Sequence, residues 1–369
     1  MQKRKLTLTT TLTSLALATG LMASTAQADE ELNIFNWSDY IADDTIANFE
    51  AETGIKVVYD MFDSNDVLEA KLLTGNSGYD LVVPSSSFMG RQIMAGVFQP
   101  LDKSKLPNLA NMDAEMMATI AGIDPGNTYG VPYMWGTTGI GYNPDMVAKA
   151  LGADAPVGSW DLVLKPENMA KLASCGVHML DSADEILPIA MNYIGLDPNS
   201  ANKADWVAGA DVVKGVRDSV TKFHSSNYID ALANGDICVA VGWSGDVLMA
   251  GDAAAEADNG VVVEYVIPAE GAPLWIDMMG IPADAQNVEN AHKFLDYLMR
   301  PEVTAAITNY VWYANANAAA SAHIDQEILD HPGIYPTAAA KAGLFTFDIL
   351  PPKVTRAANR AWTDVRTGN

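Results

Sequence analysis

The chain has 369 residues, with 22 Lys or Arg against 46 Asp or Glu, and a formal net charge of −24. That balance argues against nucleic acid and anionic membrane surfaces as partners and is compatible with a cationic ligand. The length is more than one ordinary core fills, so two lobes are the default.

The first 28 residues read as a secretory signal: Lys3-Arg4-Lys5, an apolar-rich stretch from Leu6 to Met22, then Ala26-Gln27-Ala28 as an A-x-A cleavage site. Cleavage is expected after Ala28, so the mature chain starts at Asp29 in an oxidising, exported compartment. No cysteine near the site suggests a lipid anchor. No later apolar run reaches the ~20 residues that span a bilayer, and no membrane insertion is expected.

Leu32 to Phe35 reads as the first strand, and Asn36-Trp37-Ser38-Asp39-Tyr40 follows it. Two aromatics, a hydroxyl and a carboxylate at the end of a strand suit an organic cation. Ring faces attract ammonium, with cation–π contacts worth roughly 0.5 to 2 kcal/mol, and the carboxylate adds charge-assisted hydrogen bonds. Ordinary core aromatics beside an N-cap aspartate would look the same, so both readings stand at this point.

Asp43 to Thr53 has a helical pattern stopped by Gly54, Ile55 to Tyr59 is β-rich, and Ser64-Asn65-Asp66 offers an N-cap for a helix that ends near Gly75. Tyr79 to Val83 is an apolar strand. The β-α-β-α-β order implies a parallel sheet with buried strands. Ser85, in Pro84-Ser85-Ser86-Ser87-Phe88, then shares the ligand-binding rim with Asp39, because each follows a strand of that sheet.

Tyr129 to Asn143 is β-rich but carries four glycines, which marks it as the crossing between lobes. Its Gly139-x-Gly141 lacks the third glycine and the helix of a dinucleotide fingerprint. Asn168 to Ala173, Asp184 to Ile194 and Trp206 to Phe223 are helical in pattern. Ile237 to Val241 is a strand entered through Asn234-Gly235-Asp236, and it ends in Gly242-Trp243-Ser244-Gly245-Asp246. That motif repeats the aromatic, hydroxyl and carboxylate of the first.

Val261 to Ile267 is a strand suited to returning to the first lobe. Trp275 and Asp277, two apart in an extended segment, fall on one face. Val288 to Arg300 is an amphipathic helix stopped by Pro301. Near Val311-Trp312-Tyr313 the chain is expected to change lobe again before a polar C-terminal region. The resulting division is residues 29–135 plus about 257–315 for one lobe, and 136–256 plus about 316–369 for the other. Cys175 and Cys238 read as one structural disulfide closing a loop of about 60 residues, worth ~4 kcal/mol in the chain-entropy model.

Taken together, Asn36-Trp37-Ser38-Asp39-Tyr40-Ile41, Phe49 to Asp60, Asp80-Leu81-Val82-Val83-Pro84-Ser85, Pro132-Tyr133-Met134-Trp135, Thr137 to Asn143 and Ala233 to Cys238 resemble the putrescine- and spermidine-binding periplasmic proteins of polyamine ABC transporters. The likeness covers nearly all of the mature chain and is strongest to the putrescine-binding branch. It implies a type II-like α/β periplasmic binding fold, two lobes of mainly parallel sheet flanked by helices that close over ligand in a cleft. It also implies a monomer whose partners are a polyamine and the membrane permease subunits of an ABC transporter.

By the same resemblance Trp37, Tyr40, Trp243, Trp275 and Tyr313 form an aromatic box around the alkyl chain. Asp246 and Asp277 hold one ammonium, Glu185 the other, and Asp39, Ser38 and Ser85 add polar contacts. Cys175 and Cys238 match the family's disulfide positions. Trp275 stands where many putrescine-binding members have phenylalanine, which leaves both putrescine and spermidine open.

Asp246 and Asp277 could instead be the acid and base of a secreted hydrolase. The chain has no G-x-S-x-G, H-E-x-x-H or Walker motif, and Ser200-x-x-Lys203 has no K-T-G partner. No metal site and no cofactor are expected. A ferric site would want adjacent tyrosines, whereas Trp312 precedes Tyr313. An anionic ligand would need a cleft arginine or lysine, and the cleft motifs hold none. A polyamine sensor would share every one of these features.

Overall fold

A computed structural model describes residues 30–368; the expected leader, its cleavage site and Asp29 lie outside the described residues. The strands are β1 (Glu31–Trp37), β2 (Lys56–Phe62), β3 (Leu81–Val82), β4 (Gly130–Tyr142), β5 (Val177–Met179), β6 (Lys222–Phe223), β7 (Val239–Trp243), β8 (Glu264–Val266), β9 (Leu274–Gly280) and β10 (Ala314–Asn315). They join in the order β2-β1-β3-β9-β4-β7-β5-β6, with β8 and β10 also paired to β4.

The first turns of the fold follow local chemistry. Gly54 takes φ 75°, the left-handed conformation that ends the helix Thr45–Thr53 at low steric cost. The Ser64 side chain accepts from the Val67 amide and starts the helix Asn65–Leu73. These connections place β1 parallel to both β2 and β3. A second parallel set, β5 with β6 and β7, forms in the other half.

β4 joins the two sets. All thirteen of its residues are buried, because it has partners along its whole length. Gly130 to Thr137 runs antiparallel to β9, and Thr138 to Tyr142 runs antiparallel to β7. The sheet is therefore mixed rather than mainly parallel: the parallel strands are βαβ units, and β4 and β9, which carry the chain between halves, run against them.

Two hydrophobic clusters flank this spine. One gathers Leu32, Phe49, Trp135, Phe294 and Ile307; the other gathers Ile140, Trp160, Leu187, Trp206 and Val239. Several segments pack differently from the sequence expectation. Val261 to Ile267 stays with the second cluster, since β8 pairs with Ile140–Tyr142 and an apolar strand fits either half equally well on pattern alone. Ala316 to Ile334 stays with the first cluster, because β10 pairs with Trp135 and Met134.

The pattern over Trp206 to Phe223 breaks into a helix ending at Lys214 and the edge strand β6. Pro301 does not only stop one helix; it opens the next, Pro301–Val311. The polar C-terminal region contains a sixteen-residue helix, Pro352–Thr367, which buries Val354, Ala358, Ala361, Trp362 and Val365. Among the described residues no helix is long and apolar enough to cross a membrane.

Cys175 and Cys238 are bonded, closing a separation of 63 residues within the second cluster. Loop-closure entropy at that length predicts a loss of ~4 kcal/mol on reduction. Chemical denaturation with and without a thiol reductant measures it; equal midpoints would show that the bridge adds no stability.

Candidate functional site

Every candidate cleft residue except Asp39 lines one cavity between the two clusters: Trp37, Ser38, Tyr40, Ser85, Glu185, Trp243, Asp246, Trp275, Asp277 and Tyr313. They arrive from the ends of β1, β3 and β7, from β9, from the first turns of two helices, and, for Tyr313, from the residue before β10. Trp37 and Tyr40 flank the loop after β1. The Trp37 indole donates to the Val83 carbonyl at 2.8 Å, and the Tyr40 hydroxyl donates to Asp277 Oδ2 at 2.9 Å.

Asn65 sets the direction of Ser85. Its Oδ1 accepts from the Ser85 amide at 3.0 Å, and its Nδ2 donates to Ser85 Oγ at 2.9 Å. With that lone pair occupied, the Ser85 hydroxyl donates to Asp277 Oδ1 at 2.6 Å. Both oxygens of Asp277 are thus held by neutral donors.

Asp246 lies in the first turn of the helix Ser244–Glu256, directly after β7. Tyr228 donates to its Oδ2 at 2.7 Å and Tyr313 to its Oδ1 at 2.5 Å. Tyr228 also accepts from the Trp243 amide at 3.0 Å, so one buried phenol orients both the carboxylate and the aromatic wall. Tyr313 belongs to the first cluster and Asp246 to an element of the second; their bond crosses the cleft.

Glu185, in the first turn of the helix Ala183–Tyr193, accepts from Trp243 Nε1 at 3.0 and 3.1 Å and from the Thr138 hydroxyl. Ring pairs line the space between the carboxylates. Trp37 meets Trp243 edge to face at 5.4 Å between centroids, Tyr40 meets Tyr313 at 5.1 Å, and Trp275 meets Tyr313 at 5.4 Å. Trp275 has room because β4 carries glycine at 136. A Cβ there would lie 2.7 Å from its Cζ2 and 2.8 Å from Ser244 Oγ.

Of the four carboxylates that line the cavity, Glu185, Asp246 and Asp277 are buried and Asp184 is half-buried, and among the described residues none of them forms an ion pair with Lys, Arg or His. Burial pushes Glu185 up to about 8, with the neighbouring Asp184 charge adding to it. Burial likewise raises Asp246 and Asp277 to about 7, against the opposing phenol and hydroxyl bonds. A buried carboxylate without a counter-charge is costly, and an ammonium group placed among these donors would relieve that cost.

Asp39 departs from expectation. It is exposed, at φ 54°, and lines a separate groove with Asp43, Met249 and Glu256. The left-handed turn at Asp39 returns Tyr40 to the cavity and leaves the aspartate outside it. Other residues were not singled out in the sequence. Asn65, Ser87, Asp184 and Phe347 also line the cavity, while Tyr228 and Thr138 hold its carboxylates from behind. Asn65 appeared only as part of a cap, and nothing local distinguishes Tyr228.

Residues 44–336 match the family model of the bacterial extracellular solute-binding protein. The chain is 54% identical over 355 residues to the putrescine-binding periplasmic protein PotF of Escherichia coli (strain K12), covering 96% of this chain and 95% of that protein. It is 54% identical over 360 residues to the putrescine-binding periplasmic protein SpuD of Pseudomonas aeruginosa (strain UCBPP-PA14), covering 97% and 98%. The solved structure of a putative spermidine/putrescine ABC transporter from Listeria monocytogenes superposes with a TM-score of 0.83 at 33% identity, over 92% of this chain and 100% of that one.

Proposed function

The chain belongs to the bacterial extracellular solute-binding protein family, and from that membership and the cleft chemistry we propose that it captures a polyamine, putrescine or spermidine, and delivers it to an ABC transporter for uptake. One observation carries the reading: three buried carboxylates without a cationic partner face a cavity walled by aromatic rings. A polyamine supplies what is missing, ammonium groups at its ends and methylenes between them that need no hydrogen bonds. In this proposal Asp246 and Asp277 hold one end and Glu185 the other. Trp37, Tyr40, Trp243, Trp275 and Tyr313 enclose the chain, with Ser38 and Ser85 as polar contacts. Asp39 is left out of the contact set.

The relatives are named as putrescine-binding periplasmic proteins, which supports export of this chain by a cleaved leader and binding without catalysis; in this proposal it works as a monomer with permease subunits as its membrane partners. Ligand binding favours the closed arrangement in which Tyr313 reaches Asp246, to the extent that closure adds contacts. Intrinsic fluorescence of the cleft tryptophans tests the ligand class: putrescine and spermidine change it saturably, and glutamate does not. A response to glutamate alone would sink the proposal.

The raised carboxyl groups fix the sign of the pH dependence. Binding an ammonium requires their ionised forms, so at neutral pH binding releases protons, and affinity falls as pH drops below about 8 and then about 7. In the ligand-free protein these groups favour folding below their unfolded values. That contribution is lost as pH rises through about 7 and 8. Calorimetry in two buffers of different ionisation enthalpy reads the proton release; identical apparent heats would contradict it.

Gly136→Ala is predicted to push Trp275 into the cavity and weaken putrescine binding about tenfold, within the range of overpacking effects. Adding Trp275→Phe to the same chain should restore most of the loss. A double variant no better than Gly136→Ala would show that the ring contact is not the cause.

A further inference from the structure

On the outer face of the second half, the helices Lys203–Lys214 and Pro352–Thr367 pack through Trp206, Ala210, Val213, Val354, Ala358 and Trp362. Above that seam they leave a groove. Its rims carry Lys203 and Lys214 on one helix and Lys353, Arg356 and Arg360 on the other. None of these five is in an ion pair among the described residues. In a chain of net charge −24 with only 22 basic residues, a groove with five unpaired cations is a local reversal of the protein's field.

We propose that this groove docks an acidic, amphipathic segment of a partner protein. The cations of one rim span eleven helical steps, roughly 16 Å, and those of the other seven, roughly 10 Å, which suits a stretch of polypeptide better than a single phosphate. The floor is apolar: Val207 is 48% exposed between the cationic rims, beside Ala210, Ala357 and Ala361. Aliphatic side chains seat there while carboxylates meet the rims. A flat anionic bilayer does not match a concave surface and would be repelled by the rest of the molecule. Asp211 and Asp364, also in the groove, leave it a net charge of +3, which suits carboxylates spaced by apolar residues better than a dense polyphosphate chain.

The test uses the mature protein and a fluorescein-labelled peptide of about twelve residues, matched to the groove, built from repeating Glu-Ala-Leu-Glu. Fluorescence anisotropy at low salt reads its binding. Its lysine-for-glutamate counterpart, sodium tripolyphosphate and phosphatidylglycerol vesicles form the other arms. The acidic peptide should bind and its lysine counterpart should not. Lys353→Glu/Arg356→Glu/Arg360→Glu should weaken peptide binding at least tenfold, as should Lys203→Glu/Lys214→Glu on the facing helix if the first variant unfolds. Added salt should weaken it in the same direction.

Polyamine titration of the same variants should match the unaltered protein, which separates this surface from the cleft. Failure of the acidic peptide to bind, equal binding by the reversed variants, or binding of vesicles or tripolyphosphate in its place would overturn the proposal.

Discussion

Asp246→Asn lowers polyamine affinity at least tenfold, ~1.4 kcal/mol, and raises the thermal stability of the ligand-free protein near pH 8. The two effects share a cause. Asp246 is buried between the Tyr228 and Tyr313 hydroxyls, with its ionised form disfavoured enough to raise its titration to about 7. Asparagine keeps the shape and still bonds to both phenols, one of which then accepts instead of donating. It removes the charge that binds ammonium and, with it, the cost of burying that charge in an empty cleft. Calorimetric affinity and a melting curve on the same preparation read both terms. Unchanged affinity would remove Asp246 from the site, and lost stability would mean that the phenol bonds, rather than the charge, dominate there.

Glu185→Gln is expected to cost at least as much affinity and, more diagnostically, to reduce the preference for a diamine over a monoamine. Glu185 holds the opposite end of the proposed ligand, and both its oxygens accept from the Trp243 indole while one also accepts from Thr138. Glutamine must turn an amide N–H₂ toward one of those donors, so it loses a hydrogen bond as well as the charge. Putrescine should fall toward the weak binding of butylamine, which has no second ammonium to lose. Combined with Asp246→Asn, the losses should add to within about 0.5 kcal/mol if the two carboxylates grip different ends. An unchanged putrescine-to-butylamine ratio would contradict that division.

Much of this site is legible in the sequence because it is built where strands end. The groups Trp37 to Tyr40 and Trp243 to Asp246 lie at the C-terminal ends of β1 and β7, and the two parallel sets, which run in opposite senses on either side of β9 and β4, point those ends at each other across the cleft. Trp275 and Asp277 share a face of β9, as alternation requires. What escaped depends on backbone angle or on distant packing. Asp39 has the right chemistry, but its left-handed φ of 54° leaves it outside the cavity. Tyr228 acts on Asp246 through a contact between separate elements that no local pattern encodes.

The C-terminal helix is hard to read because only Val354, Trp362 and Val365 mark its buried face strongly, while the two alanines at 358 and 361 carry little apolar signal against so many charged neighbours. β8 shows a different limit. Its apolar residues specify a strand, whereas pairing with Ile140–Tyr142 decides which half it joins.

Calorimetric titration of mature protein that has been unfolded, freed of ligand and refolded shows whether the unpaired carboxylates exist to meet a polyamine. Putrescine and spermidine are the ligands, with glutamate as the control. One-to-one binding of at least one polyamine is expected, with proton release near pH 7 and no heat from glutamate. Folded protein that gives no heat with either polyamine would contradict it.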